Sequence, residues 1–143
     1  FCGYNMADHW QHWLDVGENL RKTGGVPRIF QVNWFRKGED GRWLWPGFGE
    51  NGRVLAWILE RVEGTAAAIE SPVGWLPAPG TIDYEAAGVS DTDWQELFSI
   101  DPEAHLAEAD DAEAFFAGFD GRVPAAITAQ LEELRARMRA ARA

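Results

Sequence analysis

The sequence predicts a mixed α+β fold in which short strands and an aromatic loop come first and a helical tail follows. Three observations support it. A run rich in β-branched and aromatic residues lies between turn formers in the first half, apolar residues recur at helical spacing in several segments, and helix signals predominate after Gly80. The 143 residues, 46% of them hydrophobic and 25% charged, are typical of one soluble globular domain.

The first predicted elements are a helix and a strand. Asn5 with Asp8 resembles a capping box, and apolar residues then recur at helical spacing, so a helix is expected from about Met6 to Val16. Two glycines and a proline end that region. The following segment, Arg28–Trp34, favours a strand because it is bounded by turn formers and rich in β-branched and aromatic residues.

This strand leads into an aromatic loop over residues Asn33–Asn51, NWFRKGEDGRWLWPGFGEN. GEDG at positions 38–41 is a turn signal, which predicts a hairpin-like excursion over residues Arg36–Trp45. The five large aromatic residues of the loop fit neither a helical nor a strand period for long; they are Trp34, Phe35, Trp43, Trp45 and Phe48. Planar side chains on a glycine-punctuated loop suit a slot for a flat ligand such as a nucleobase. Core burial is the alternative for each of them, above all for Trp34 and Trp45.

A second helix is predicted directly after the loop. Asn51 is a favourable N-cap, Gly64 is a natural stop, and one face carries apolar residues at Val54, Leu55, Ile58, Leu59 and Val62. Asn51 would then lie at a helix N-terminus, where free backbone N–H groups and a partial positive charge can bind an acceptor edge or an anion. Capping alone is the alternative role for this residue.

The rest of the chain is expected to be mainly helical. Residues Ala68–Trp75 predict a short strand, and a cluster of prolines up to Gly80 predicts a connecting loop. Three helix starts follow, and their signals are Ser90 with Asp93, Asp101 with Pro102, and Pro124 before a stripe of Ile127, Leu131, Leu134 and Met138.

Charge is unevenly distributed along the chain, and it bears on the choice of partner. Of the net charge of −10, residues 1–64 contribute nothing, with eight basic and eight acidic side chains, whereas residues 65–143 hold five basic and fifteen acidic ones. An acidic second half makes nucleic acid an improbable partner, while the neutral first half tolerates one phosphorylated small molecule. A solvated acidic face is the simpler interpretation of the second half.

Location and completeness follow from other features. The single Cys2 cannot form an internal disulfide, and no apolar run approaches the roughly 20 residues needed to span a membrane, so a cytoplasmic protein without a membrane partner is expected. Phe1 is preceded by no initiator Met or signal segment, which suggests a piece of a longer protein.

The sequence offers few catalytic or metal-binding groups. It lacks the GxxxxGK[ST] phosphate loop and a cysteine–histidine pairing of catalytic type. His9 and His12, three residues apart on the first predicted helix, could meet a metal together with Asp8, but the tryptophans around them favour packing or surface exposure. We therefore expect no catalytic residue and no metal ligand in this chain.

Four segments carry a resemblance to a known family. FCGYN at 1–5, VNWFRKGEDGRWLWPGFGEN at 32–51, RVLAWILERVEG at 53–64 and SPVGWLP at 71–77 together resemble the carboxyl-terminal part of GTP-dependent phosphoenolpyruvate carboxykinase. The resemblance implies that residues 1–80 are the guanine-binding part of the carboxyl-terminal nucleotide-binding domain and that residues 81–143 are a helical tail packed on it. It covers most of residues 1–80 and the tail more loosely.

The resemblance also implies an activity for the intact enzyme. That enzyme is a lyase of gluconeogenesis that converts oxaloacetate and GTP into phosphoenolpyruvate, carbon dioxide and GDP, with Mn²⁺ or Mg²⁺. The phosphate loop, the metal ligands and the catalytic cysteine would all lie upstream of Phe1, so this chain alone is expected to be inactive. Its partners would be the nucleotide and the remainder of the same polypeptide.

Residue by residue, the resemblance implies a guanine pocket. Phe35 and Phe48 fall where the family holds the two faces of the ring, and Trp43 falls where a third aromatic, more commonly Phe, lies against the base. Trp34 is the neighbouring aromatic, and the segment Phe48, Gly49, Glu50 and Asn51 matches the guanine-binding segment. The alternative from another class is a non-catalytic interaction module whose Trp-rich loop binds a proline-rich peptide or a sugar.

Overall fold

The computed structural model describes residues 2–142, and over that range it contains five helices and one two-stranded antiparallel sheet. In chain order these elements are α1 (Met6–Arg21), α2 (Asn51–Glu63), β1 (Ala68–Ser71), β2 (Gly74–Pro77), α3 (Asp91–Leu97), α4 (Pro102–Ala117) and α5 (Ala125–Ala141). The mixed α+β class is therefore confirmed. The chain divides into two compact units, Phe1–Pro27 with Asp101–Ala143 and Arg28–Ile100. The functional division expected at residue 80 stays a prediction.

The first unit is built from α1, α4 and α5. Asn5 caps α1 as predicted, because its side chain accepts a hydrogen bond from the Ala7 amide at 2.9 Å. The helix continues past Val16 to Arg21, since Gly17 weakens a helix interior by only about 1 kcal/mol. Asp101 caps α4 through the amides of residues 103 and 104, again as the sequence predicts.

Helices α4 and α5 pack against each other through apolar and ionic contacts. The predicted stripe of α5 faces inward, and its Met138 is fully buried. Arg135 on the same helix is 7% exposed and binds Asp110 and Glu113 of α4 at 2.7 and 2.8 Å, and Glu132 of its own helix at 2.6 Å. These three carboxylates raise the pKa of the Arg135 guanidinium, so the buried cation is fully compensated.

The second unit has two small apolar clusters. Trp45 packs with Ala87 and Val89, while Trp57 of α2 packs with Ala66 and Ile82. Trp94 of α3 contacts both clusters, and its indole stacks on Tyr84 with the ring centroids 4.4 Å apart. Helix α3 is thereby fixed to the core of this unit even though it has only seven residues.

Two strand predictions need correction. Residues Arg28–Trp34 are not a strand, because no described segment pairs with their backbone; Phe30 instead packs on Trp57, and Arg28 donates to the Arg61 carbonyl oxygen at 2.6 Å. Residues Ala68–Trp75 are not one strand but belong to the two strands of a hairpin, with Ala68 opposite Pro77 and Ser71 opposite Gly74.

The apolar face of α2 is also narrower than the sequence predicts. Val54 and Ile58 pack inward on either side of buried Trp57, whereas the other three predicted members, Leu55, Leu59 and Val62, are exposed. Gly64 ends the helix as expected, in the left-handed conformation at φ 80° that glycine adopts without strain.

Candidate functional site

The centre of the aromatic loop is a short hairpin, as the sequence predicts. Lys37 and Trp43 form an antiparallel bridge, flanked by 3.0 Å hydrogen bonds from the Leu44 amide to the Arg36 carbonyl and from the Gly38 amide to the Arg42 carbonyl. The turn closes with Gly41 at φ 77°, a conformation that side chains with a Cβ rarely adopt.

One face of this hairpin carries exposed aromatic rings. Phe35 and Trp43 meet edge to face with their centroids 5.8 Å apart, and they are 72% and 49% exposed. The Lys37 ammonium lies 4.3 Å from the centroid of the Trp43 ring, a cation–π contact that holds the indole on this face. We call Phe35, Lys37 and Trp43 the aromatic face.

The two other tryptophans of the loop pack toward the core. Trp45 is 5% exposed, and Trp34 packs against the cluster that Trp45 forms with Ala87 and Val89. Core burial, the alternative considered for these two residues, is therefore what the structure has for Trp45, whereas Trp34 is only partly buried. The assignment of Trp34 to a nucleotide site stays a prediction.

Phe48 lies on a separate turn that leads into α2. The amide of Glu50 donates to the Gly47 carbonyl at 3.0 Å, and Gly47 adopts φ 97°. Phe48 is 96% exposed, so its ring makes almost no contact within its own unit. A side chain at Gly49 would meet nothing within 4 Å, which leaves the backbone there open to a ligand.

Asn51 is not the N-cap of α2, and this prediction was wrong by one residue. Glu50 is the N-cap, without a side-chain capping bond, and Asn51 is the first helical residue. Its Oδ1 instead accepts a hydrogen bond from Nε1 of Trp45 at 2.9 Å. Because an indole N–H can only donate, the amide must present its oxygen to Trp45 and its NH₂ group elsewhere.

Glu50 is occupied by an ion pair. Its carboxylate accepts from Nε of Arg53 at 2.6 Å, and the same guanidinium lies 3.7 Å from Asp83. The hydrogen bond that Arg53 donates to Glu50 is the largest cause of the raised pKa of Arg53. The side chain of Glu50 is thus neutralised locally, and what this residue offers a ligand is chiefly its backbone.

Two arginines connect the opposite face of the hairpin to α3. Arg42 makes a bidentate pair with Asp93 at 2.9 and 3.1 Å, and Arg36 donates to the Leu97 carbonyl, the Ser99 carbonyl and the Ser99 hydroxyl at 2.9, 3.1 and 2.7 Å. Sequence reasoning missed this role. The available signal was the strand period of two, which puts residues 36 and 42 on the face opposite residues 35 and 43.

The described residues do not fit a divalent metal site. Between residues 2 and 142 no group of three histidine, cysteine, aspartate or glutamate side chains is arranged to hold an ion. The ring of His9 packs on Trp13 at 4.8 Å, and Asp8 pairs with Arg122 at 2.6 Å. Over the same residues, no helix has the length and apolar character required to cross a membrane.

Comparison with known proteins gives a consistent result. Residues 1–137 match the family described as the phosphoenolpyruvate carboxykinase C-terminal P-loop domain. Proteins named phosphoenolpyruvate carboxykinase [GTP] are similar to this chain at 43% identity over 99% of it in Neocallimastix frontalis, 42% over 96% in Treponema pallidum, and 40% over 100% in Corynebacterium efficiens.

The aligned part of these relatives is limited. The chain spans 22–23% of their length, which is less than a quarter of each. The family match nevertheless extends over nearly the whole chain and includes both the aromatic loop and the helices that follow it. This chain therefore belongs to the family of the carboxyl-terminal domain of GTP-dependent phosphoenolpyruvate carboxykinase.

Proposed function

We propose that this chain is the guanine-binding portion of an enzyme that converts oxaloacetate and GTP into phosphoenolpyruvate, carbon dioxide and GDP in gluconeogenesis. Family membership supports the activity of the intact enzyme, and the exposed aromatic residues support the role of this part. Nucleotide phosphates, the divalent Mn²⁺ or Mg²⁺ and the carboxylic acid substrate would be bound by the remainder of the polypeptide.

The observation that carries this proposal is the contrast among the aromatics of one loop. Trp45 is buried, while Phe48 and Phe35 expose 96% and 72% of their surface. Covering an exposed phenylalanine with a flat ring is favourable, and each base–aromatic stack contributes roughly 1–3 kcal/mol to the binding free energy. Stacking of this kind supplies affinity for any base, so it does not select guanine.

Selection of guanine needs polar groups, and Asn51 provides one set. Its oxygen is held by Trp45, so its NH₂ group is the part available to a base. We propose that this NH₂ donates to O6 of guanine, an acceptor where adenine has a donor amine. The N1–H and N2–H₂ donors of guanine would then bind backbone carbonyls near Gly49, where a Cβ would meet nothing within 4 Å.

Replacement of Phe48 by alanine in the intact enzyme tests the proposal. Loss of one stack predicts a KM for GTP raised roughly ten- to hundredfold, with the KM for oxaloacetate nearly unchanged. Phe115→Ala is the matched control, because Phe115 is also an exposed phenylalanine but lies on α4. If the Phe48→Ala enzyme folds and its KM for GTP is unchanged, the turn that carries Phe48 is not part of the nucleotide site.

A further inference from the structure

We infer that Arg42 and Arg36 are positioning residues for the nucleotide base, because they hold the aromatic hairpin against α3. This inference rests on the proposed function. Each arginine is the chain neighbour of an aromatic residue of the site: Arg36 follows Phe35, and Arg42 precedes Trp43. Their side chains reach the two ends of the same helix, so the hairpin is held at two separated points.

The contact with the first turn of α3 is a bidentate ion pair. Arg42 uses both terminal nitrogens on the Asp93 carboxylate, and the Asp93 side chain is only 13% exposed. Asp93 in turn is fixed by its place in the helix, since its amide donates to the Ser90 hydroxyl at 3.2 Å. Bidentate arginine–carboxylate pairs fix orientation as well as distance.

The contact with the other end of α3 uses backbone carbonyls. Arg36 donates to the carbonyl oxygen of Leu97, the last residue of α3, and to that of Ser99 two residues beyond it. A guanidinium there also complements the negative end of the helix dipole. Trp94 anchors α3 to both apolar clusters of the unit, so the arginines tie the hairpin to a fixed support.

The arginine contacts add to the apolar packing of the hairpin's second arm, where Leu44 and Trp45 are buried. A cleft of about 470 Å³ lies between the hairpin and α3, and polar or charged side chains line it, among them Asp40, Thr92 and Glu96. The hairpin itself has one bridged residue pair, and an isolated two-stranded hairpin is marginally stable in water. Buried Leu44 and Trp45 hold one arm of the hairpin, so loss of the arginines would leave the hairpin attached but let the exposed aromatic face sample more orientations before a base binds.

Preorganisation of this kind predicts a specific kinetic pattern. In the intact enzyme Arg42→Ala and Asp93→Ala should each raise the KM for GTP roughly threefold to tenfold, with kcat and the KM for oxaloacetate little changed. The double variant should be no worse than the more impaired single one, because both changes remove the same contact. Arg42→Lys keeps the positive charge but not the bidentate guanidinium, so its KM for GTP should lie between those of the parent and Arg42→Ala.

Hydrogen exchange supplies a readout that does not depend on activity. The amides of Gly38 and Leu44 close the hairpin, so they should exchange faster in Arg42→Ala than in the parent enzyme. Arg122→Ala is the matched control, since Arg122 is an arginine of comparable exposure that pairs with Asp8 in the other compact unit. This control should alter neither the exchange of these amides nor the KM for GTP.

The outcomes separate this inference from the proposed function. If Phe48→Ala raises the KM for GTP but Arg42→Ala does not, the positioning role is wrong while the base site stands. If exchange of the Gly38 and Leu44 amides is unchanged in Arg42→Ala, the positioning role is also wrong. If Phe48→Ala has no effect on GTP, the proposed function fails, whatever the arginine variants do.

Discussion

The indole nitrogen of Trp45 lies 2.9 Å from Oδ1 of Asn51, so a buried tryptophan fixes the orientation of an amide in the first turn of α2. Trp45 is thereby both a core residue and a support for the candidate site. Under the proposed function, Trp45 would affect selectivity for a base through Asn51 without touching the base.

Trp45→Phe is expected to lower the preference of the intact enzyme for GTP over ATP. The variant keeps an apolar ring in the core but removes the N–H donor, so the Asn51 amide is free to turn its oxygen toward the base. We expect the ratio of kcat/KM for GTP and ATP to fall roughly fivefold, as for the loss of one hydrogen bond of about 1 kcal/mol.

Trp57→Phe is the matched control for this change. Trp57 is another buried tryptophan of the same unit, and its Nε1 donates to the Ala67 carbonyl rather than to a residue of the candidate site. It should destabilise the fold to a similar degree and leave the GTP to ATP ratio unchanged. If the GTP to ATP ratio of kcat/KM is the same in both variants as in the parent, Trp45 has no role in base selection.

Arg135 should contribute more to stability than any other ion-paired arginine of its unit. Arg135→Ala would leave Asp110, Glu113 and Glu132 close together without their shared cation, and the Ala109 carbonyl without its donor. We expect a clearly lower melting temperature than in Arg122→Ala, whose ion pair with Asp8 is half exposed. Thermal unfolding measured by circular dichroism would compare them, and equal melting temperatures would contradict the prediction.

Local signals explain why most helix ends were predicted correctly. Ser90, Asp101 and Gly64 act on backbone groups within three or four residues of themselves, so their effect is present in the sequence alone. The strand expected at Arg28–Trp34 failed for the opposite reason, because strand formation requires a partner that composition does not reveal. Asn51 was misplaced because a tertiary contact with Trp45 uses its side-chain oxygen.

The candidate site was predictable in composition but not in geometry. The aromatic residues stood out because they cluster in a glycine-rich loop and fit neither a helical nor a strand period, and the structure then separates buried Trp45 from exposed Phe48. That separation depends on Ala87 and Val89, which lie some forty residues later in the chain. The bonds of Arg36 and Arg42 to residues in and just after α3 span 51 to 63 residues of sequence, so the strand period could place the two arginines on one face but could not identify their partners.

Asp93 should make stability depend on pH in the acid range. Its hydrogen bond with Arg42, helped by Ser90, lowers the pKa of the Asp93 carboxyl below the ordinary value of about 3.9. A group with a lowered folded pKa stabilises the protein above its unfolded pKa, and the contribution is lost as the pH falls through the folded value. The stability gap between the parent and Asp93→Asn should therefore be constant near neutral pH.

Below about pH 4 the stability gap between the parent and Asp93→Asn should narrow, because protonated Asp93 has no charge to pair with Arg42, just as the asparagine has none. Urea unfolding at a series of pH values would measure it. Glu108→Gln is a suitable control, since Glu108 is an exposed carboxylate near His105 that makes no contact with Arg42. A gap that does not change between pH 7 and pH 3 would show that the Arg42 pair adds nothing to stability.

Asn51→Asp should change which base the intact enzyme prefers. The aspartate can still accept from Nε1 of Trp45, but it places a second oxygen where the amide had its NH₂ group. That oxygen faces O6 of guanine unfavourably and can accept from the amine of adenine. A mismatched buried contact costs about 1–3 kcal/mol, so the GTP to ATP ratio should fall roughly five- to hundredfold.

Comparison of GTP, ITP and ATP in Asn51→Asp and Asn51→Ser distinguishes the groups that read the base. ITP keeps O6 but lacks the N2 amine, so an amide that reads only O6 predicts nearly equal losses with GTP and ITP. Melting temperatures should stay close to the parent value in Asn51→Asp, since a negative charge in the first turn of α2 suits the helix dipole. Asn51→Ser shortens the reach and should weaken GTP and ITP alike. If selectivity stays as in the parent while the melting temperature falls, Asn51 only supports Trp45, and backbone groups near Gly49 must select the base.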